Sequence, residues 1–250
     1  MSRVKVRVDR VCKEFKVAGG VLRVLDEVSF EVFDGEFLCI VGPSGCGKTT
    51  LLKIMSGLDA PSSGRVDIEG RPPDPAKVRI GFVFQEESLL PWRDLRGNLS
   101  FGLEVKGLRR PIDELLKMVG LEGFERYYPH QLSGGMKQRA SIARALAIDP
   151  ELILMDEPFA NLDAQTRSVL QQQLLEIWQK VGKTVVFVTH NVEEAVYLAD
   201  RVLVLTARPA KVKEVVEVPY PRPRDKFSPE LLGLRKRIID SIREELVEQL

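Results

Sequence analysis

The sequence is poor in the residues that build metal and disulfide sites. It has two histidines, His130 and His190, and three cysteines, Cys12, Cys39 and Cys46, in 250 residues. An odd, sparse set of thiols is not a disulfide framework, and with no CxxC pair or Cys/His cluster nothing suggests zinc. Two histidines exclude a multi-histidine metal centre and leave each one to be accounted for. An excess of one charge is also missing: 37 Lys and Arg against 36 Asp and Glu give a formal net charge of +1. That balance offers no global reason to bind nucleic acid or an anionic membrane. No run approaches the roughly 18 apolar residues that cross a bilayer. Residues 1–10 alternate valine with charge and lack the apolar region of a signal peptide. The expectation is a cytoplasmic protein that reaches a membrane only through a partner.

What is present is ordinary globular material, 44% hydrophobic and 29% charged, with length for one to two domains. No internal repeat or low-complexity block interrupts it. Short apolar segments read as strands: the alternation of Val4, Val6 and Val8, then residues 28–32, 37–41, 66–68, 80–84, 152–155, 184–189 and 201–206. A helix is expected over 49–58, with Leu51, Leu52, Ile54, Met55 and Leu58 on its apolar face. Buried strands alternating with helices predict an α/β fold, a parallel sheet covered on both faces. Residues 86–150 break the rhythm. They contain no buried strand and show helical patterns at 111–119 and 135–148, as expected of an inserted helical subdomain. Prolines at 209, 221, 223 and 229 make 207–228 read as an extended linker. Leu231, Leu234, Ile238, Ile242 and Leu246 then recur at helical spacing, a C-terminal amphipathic helix that either packs on its own domain or binds a partner.

Two segments carry chemistry. Gly42-Pro43-Ser44-Gly45-Cys46-Gly47-Lys48-Thr49 fits G-x-x-x-x-G-K-[ST], directly after an apolar strand and directly before a helix. Glycines allow successive N–H groups to curl around phosphate oxygens, and the helix presents its positive end to the anion. Lys48 reaches the terminal phosphates and the Thr49 hydroxyl takes Mg²⁺, with Thr50 beside it. Cys46 occupies a variable position and needs no redox role. Further on, four apolar residues, 152–155, are followed by Asp156-Glu157. Carboxylates at the C-terminal end of a buried strand stand where α/β sheets bind ligands. Asp156 would hold Mg²⁺ and Glu157 would act as general base on the attacking water; the plainer alternative is two acids closing a strand.

Leu132-Ser133-Gly134-Gly135-Met136-Lys137-Gln138-Arg139, placed between those two segments, resembles the signature of ATP-binding cassette ATPases. The resemblance covers residues 4–206. It implies a P-loop NTPase (RecA-like) core from 1–86 and 151–206 with an N-terminal antiparallel β subdomain, a helical subdomain over 87–150, and a linker and helix over 207–250. It also implies roles. Phe15 stands where the family stacks an aromatic, more often tyrosine, on adenine; packing is the other reading. Gln85 matches the Q-loop glutamine, which contacts Mg²⁺ or the attacking water. Asp163 matches the D-loop, with Asn161 a departure. His190 matches the switch histidine near the γ-phosphate, whereas His130 reads as a loop packing residue.

By the same resemblance the cofactors are ATP and Mg²⁺, and two copies form a head-to-tail homodimer. In it Ser133, Gly134, Gly135 and Gln138 of one copy complete the nucleotide site of the other. The tail over 206–224 is similar to that of nitrate, sulfonate and taurine importers, which implies a peripheral subunit on the cytoplasmic face of the cell membrane. Its partners would be permease subunits, met through Leu89, Leu90 and Trp92, and indirectly an extracytoplasmic solute-binding protein, with no nucleic acid. The transported solute would be a small anion. The alternative is a non-transport cassette ATPase of the DNA-repair, chromosome or regulatory type.

Overall fold

The fold is given by a computed structural model that describes residues 3–86 and 88–247. The chain forms two compact units, residues 1–78 with 184–250, and residues 79–183.

In the first unit, β1 (Val4–Val17) and β2 (Gly20–Phe33) form a long antiparallel hairpin, and β4 (Ser63–Ile68) pairs antiparallel with the other edge of β1. This is the antiparallel β subdomain that the family resemblance implies. Its inward residues follow the alternation read in the sequence: Val6 and Val8 are buried, whereas Arg7 is exposed. The same unit holds β3 (Phe37–Val41), buried at all five positions, between β7 (Thr184–Val188) and β8 (Arg201–Leu205). Both pairings are parallel, with Ile40 beside Val188 and Leu203. A strand buried on both faces has no solvent side to alternate with, which is why its sequence is an apolar run.

The first helix, α1 (Lys48–Met55), ends earlier than expected. Gly57 adopts φ +74°, and a Cβ there would meet Pro73 O at 1.7 Å, so the chain turns away at a position that only glycine can occupy. Leu58 consequently lies outside the helix and is 56% exposed, not on the buried face.

The segment expected to be a linker is another correction. It contains β9 (Val212–Glu217), antiparallel to β8 with Val202 opposite Val216. Between β7 and β8, α6 (Val192–Leu198) follows the cap Asn191. The C-terminal helix, α7 (Pro229–Val247), packs on α6 and β8 and buries Leu231 and Ile238. Its apolar stripe serves its own unit; the side chain of Leu246 lies outside the described residues. Arg224 anchors the chain leading into that helix. Its buried guanidinium donates to the carbonyls of Val196, Tyr197, Ala199, Val218 and Tyr220 at 2.6–3.1 Å.

In the second unit, β5 (Ile80–Val83) and β6 (Leu152–Asp156) pair parallel, Val83 beside Met155. Between them in sequence lie α2 (Leu95–Lys106), α3 (Ile112–Met118) and α4 (Gly134–Ala147). The last two are the predicted helices. α2 is an addition that its sequence obscures, since Gly97, Asn98 and Gly102 are weak helix formers. Its ends are nevertheless marked. Asp94 caps it by accepting from Gly97 N at 2.7 Å, and Gly107 closes it at φ +64°. After β6, α5 (Ala164–Val181) starts at the cap Asp163. Among the described residues no helix is long and apolar enough to cross a membrane.

Candidate functional site

The residues singled out in the sequence divide between the two units. Phe15, the loop 42–50 and His190 belong to the first; Gln85, Ser133, Gly134, Gly135, Gln138, Asp156, Glu157 and Asp163 belong to the second.

In the first unit, β3 delivers the chain into the loop and α1 receives it. Gly47 takes φ +120°, and a Cβ on it would stand 2.7 Å from Val24 Cγ1 of β2. Gly42 is equally confined: its Cβ would be 2.9 Å from Leu205 O. The Pro43 carbonyl accepts from Cys46 N at 3.3 Å, closing the turn. Lys48 is buried, and its ammonium donates to Gly42 O at 2.9 Å and Pro43 O at 3.0 Å. Ser44, Gly45 and Thr49 are exposed along the rim. No side chain caps the N-terminus of α1 among the described residues. The loop is thus a cradle of N–H groups with a held ammonium, and it fits an oxyanion chain such as a polyphosphate. Thr49 adds a hydroxyl oxygen, the hard donor that Mg²⁺ takes. Burial pushes the Cys46 thiol up, against the pull of Lys48, so it stays a neutral thiol packed under the loop.

Phe15 is 39% exposed. Lys13 Nζ lies 5.0 Å from its ring centroid and is itself bonded to Asp59 Oδ1 at 2.6 Å, so the aromatic face is fixed on the surface of β1. His190 is exposed in the turn between β7 and α6.

In the second unit, Asp156 is the buried last residue of β6 and Glu157 follows it half-buried at φ +43°. A left-handed glutamate is uncommon and is retained where the surrounding structure requires it. The turn is closed by Ala160 N donating to Glu157 O at 3.1 Å. Asp156 offers a carboxylate oxygen, again a hard donor. Asp163 Oδ1 accepts from Gln165 N and Thr166 N at 3.1 and 3.0 Å, and hydrogen bonding from Thr166, side chain first, holds its carboxyl below the usual range.

Ser133 caps α4, its Oγ accepting from Met136 N at 3.3 Å. Gly134 and Gly135 follow in the first turn and face α5 and the residues before it: a Cβ on Gly134 would lie 3.6 Å from Leu162, and one on Gly135 3.1 Å from Thr166. The tertiary structure thereby brings the signature and the D-loop together, two helix N-termini side by side. Ser133 and Gly134 are exposed. Gln138, by contrast, is 2% exposed one turn into α4, away from the exposed end of that helix.

Gln85 is exposed just beyond β5. Past it the chain is organised by two residues that sequence reasoning missed. Asn98 is fully buried in α2; its Oδ1 accepts from Leu90 N, and its Nδ2 donates to the carbonyls of Leu90, Arg93 and Asp94. Arg144 of α4 donates to Ser88 O at 2.7 Å. An asparagine in a helix interior was the one available signal, because such a residue usually has a backbone to bond. The result is a stiff turn that leaves Leu89 and Leu90 half-buried and Trp92 71% exposed. His130 is exposed and stacks on Tyr128 at 6.0 Å between centroids, a local loop contact.

Comparison with known proteins gives the family of the chain. The family model described as ABC transporter matches residues 25–160. The chain is 52% identical to an uncharacterized ABC transporter ATP-binding protein of Methanocaldococcus jannaschii, covering 99% of this chain and 95% of the relative. It is 42% identical to an aliphatic sulfonates import ATP-binding protein of Bacillus cereus, covering 94% of each. Among solved structures, it resembles a dimeric bacterial ABC transporter cassette with a TM-score of 0.76 and 34% identity, over 86% of this chain and all of that one. A post-hydrolysis dimer of an ATP-binding cassette bound to ADP and Pi matches at a TM-score of 0.75, 34% identity and the same coverage. The chain belongs to the ABC transporter family, as one of its ATP-binding, ATP-hydrolysing subunits.

Proposed function

We propose that this subunit drives solute uptake, working as a head-to-tail homodimer under a membrane permease. The observation that carries the nucleotide part of the reading is the phosphate cradle, with Lys48 held on the Gly42 and Pro43 carbonyls at the N-terminus of α1, and the importer names of the relatives support uptake. ATP would lie with its phosphates in residues 42–50 and its base on Phe15. Thr49, Asp156 and Gln85 would hold Mg²⁺, which when bound neutralises charge on the β- and γ-phosphates. Glu157 takes a proton from the attacking water at its carboxylate. His190 donates a hydrogen bond to the γ-phosphate. Ser133, Gly134 and Gly135 bring the N-terminal N–H groups of α4 to the phosphate on the other copy, and Asp163 and Gln138 support that face. The dimer then closes only while the γ-phosphate is there to be shared, which makes hydrolysis the release step.

Trp92, with Leu89 and Leu90, is proposed as the permease contact: a large exposed apolar side chain on a turn made stiff by Asn98 suits a protein partner. The subunit would therefore sit on the cytoplasmic face of the membrane, and a solute-binding protein would join the complex through the permease. The names of the Bacillus relatives favour a small anion of the sulfonate class as cargo.

The test uses Glu157→Gln, which should keep ATP bound and slow turnover by about 10²-fold or more. With Mg-ATP as bait it should recover a multi-span permease from detergent-solubilised membranes of the source cell, and Trp92→Ala should weaken that recovery. Recovery only from the soluble fraction, or with nucleic acid, would turn the reading toward a non-transport cassette ATPase. Wild-type turnover in Glu157→Gln would remove Glu157 as the base.

A further inference from the structure

His190 is flanked by two residues hydrogen-bonded to Glu194, Thr189 to its buried carboxylate and Asn191 to its backbone N–H. Thr189 directly follows β7 and is itself buried. Its N–H donates to Ile40 O at 3.2 Å, its Oγ1 donates to Glu194 Oε2 at 2.6 Å, and the same Oγ1 accepts from Asn191 N at 3.0 Å. On the other side, Asn191 Oδ1 accepts from Glu193 N at 2.9 Å and from Glu194 N at 3.4 Å. The backbone is therefore held both before and after His190. An O–H to carboxylate bond of this length is the strong, charge-assisted kind.

Glu194 itself is buried, and a carboxylate out of water is costly unless it is hydrogen-bonded. Burial first, then the charge of Glu194, push the thiol of Cys39 up, which puts the carboxylate within electrostatic reach of β3 three residues before Gly42. The strands β3 and β7 run parallel, Ile40 beside Val188, so the turn carrying His190 and the loop carrying Lys48 leave the same end of the sheet.

We propose that Glu194 is a positioning residue: acting through Thr189 and Asn191, it sets the turn that carries His190. The inference rests on His190 as the histidine that meets the terminal phosphate. Removing the hydroxyl at 189, or the carboxylate at 194, releases the turn while leaving the phosphate cradle whole. Nucleotide then binds as before, but the imidazole is no longer in place when phosphate charge develops.

Because the chain has two histidines, side-chain NMR of the whole subunit gives one signal for each. His130 serves as the internal reference and His190→Ala assigns the other. Thr189→Val should shift or broaden the His190 signal alone, lower kcat about tenfold, and leave KM for ATP unchanged. Thr189→Ser, which restores the hydroxyl, should return both signal and rate. Glu194→Ala should behave as Thr189→Val, and the double variant should be no worse than either alone. If Glu194→Ala does not fold, the isosteric Val and Ser pair decides the question. An unmoved His190 signal in Thr189→Val, or loss of rate that Ser does not restore, overturns the proposal. If His190→Ala hydrolyses ATP at the wild-type rate while Thr189→Val still moves the His190 signal, the histidine's role fails and the positioning stands.

Discussion

Gly135 in the first turn of α4 lies against Thr166 in the first turn of α5, so close that a Cβ would stand 3.1 Å from Thr166 Cγ2. Alanine there gains helix propensity that offsets a slight displacement of the threonine methyl. Valine does not fit. Gly135→Ala is expected to leave Tm close to wild type, and Gly135→Val to cost about 2 kcal/mol, or roughly 4–8 °C. Thermal unfolding of the three proteins checks this. Equal Tm values would mean that the two helix starts are not packed this way.

Lys48 is the only cation whose ammonium is seated on the carbonyls of the phosphate loop, among the described hydrogen bonds. Lys48→Ala removes the charge and leaves the glycine turns and α1 in place. Calorimetry with Mg-ATP should show loss of tight binding with a near-native Tm. Undiminished affinity would break the assignment of the loop to phosphate.

Asp163 provides a pH signature. Its carboxyl is held below the ordinary 3.8 by hydrogen bonds from Thr166. A carboxylate with a lower pKa folded than unfolded adds stability above 3.8 and loses it as pH falls through the depressed folded value. Asp163→Ala should therefore melt below wild type at neutral pH, with the gap closing at pH below 3.8. A gap independent of pH would show that the cap does not act as an anion.

Arg224 carries a cation that burial, and then the charge of Arg222, bring down to about 10, so it remains charged at neutral pH. Five carbonyls depend on its guanidinium. Arg224→Met should leave them without that donor and cost about 3 kcal/mol, roughly 6–12 °C in Tm. ATP affinity of the folded fraction should be unchanged. A Tm within a degree of wild type would mean that the pairing of β9 with β8 and the packing of α7 hold the tail without it.

What the sequence by itself determined is what is contiguous. The phosphate loop needs a strand, a glycine turn and a helix in immediate succession, and all three lie within residues 37–55. The signature and the Asp156-Glu157 pair are legible for the same reason, and so are the buried strands, whose apolar runs have no solvent-facing partner residues. Other elements were hidden by weak local signals. β9 buries only Val216 and reads Val-Lys-Glu-Val-Val-Glu, with no strict alternation, so its pairing with β8 and not its composition makes it a strand. α2 carries two glycines and an asparagine, and is held by Asn98 bonding the preceding turn. Only the tertiary structure decided the remaining relationships: Gly135 on Thr166, Arg224 on the carbonyls of Val196 and Ala199, and Glu194 on Thr189. The first two join residues some thirty positions apart, a separation that neither helical nor strand periodicity encodes. Thr189 and Glu194 are close in sequence, but their bond requires the burial of a charge, and burial is a property of the packed fold.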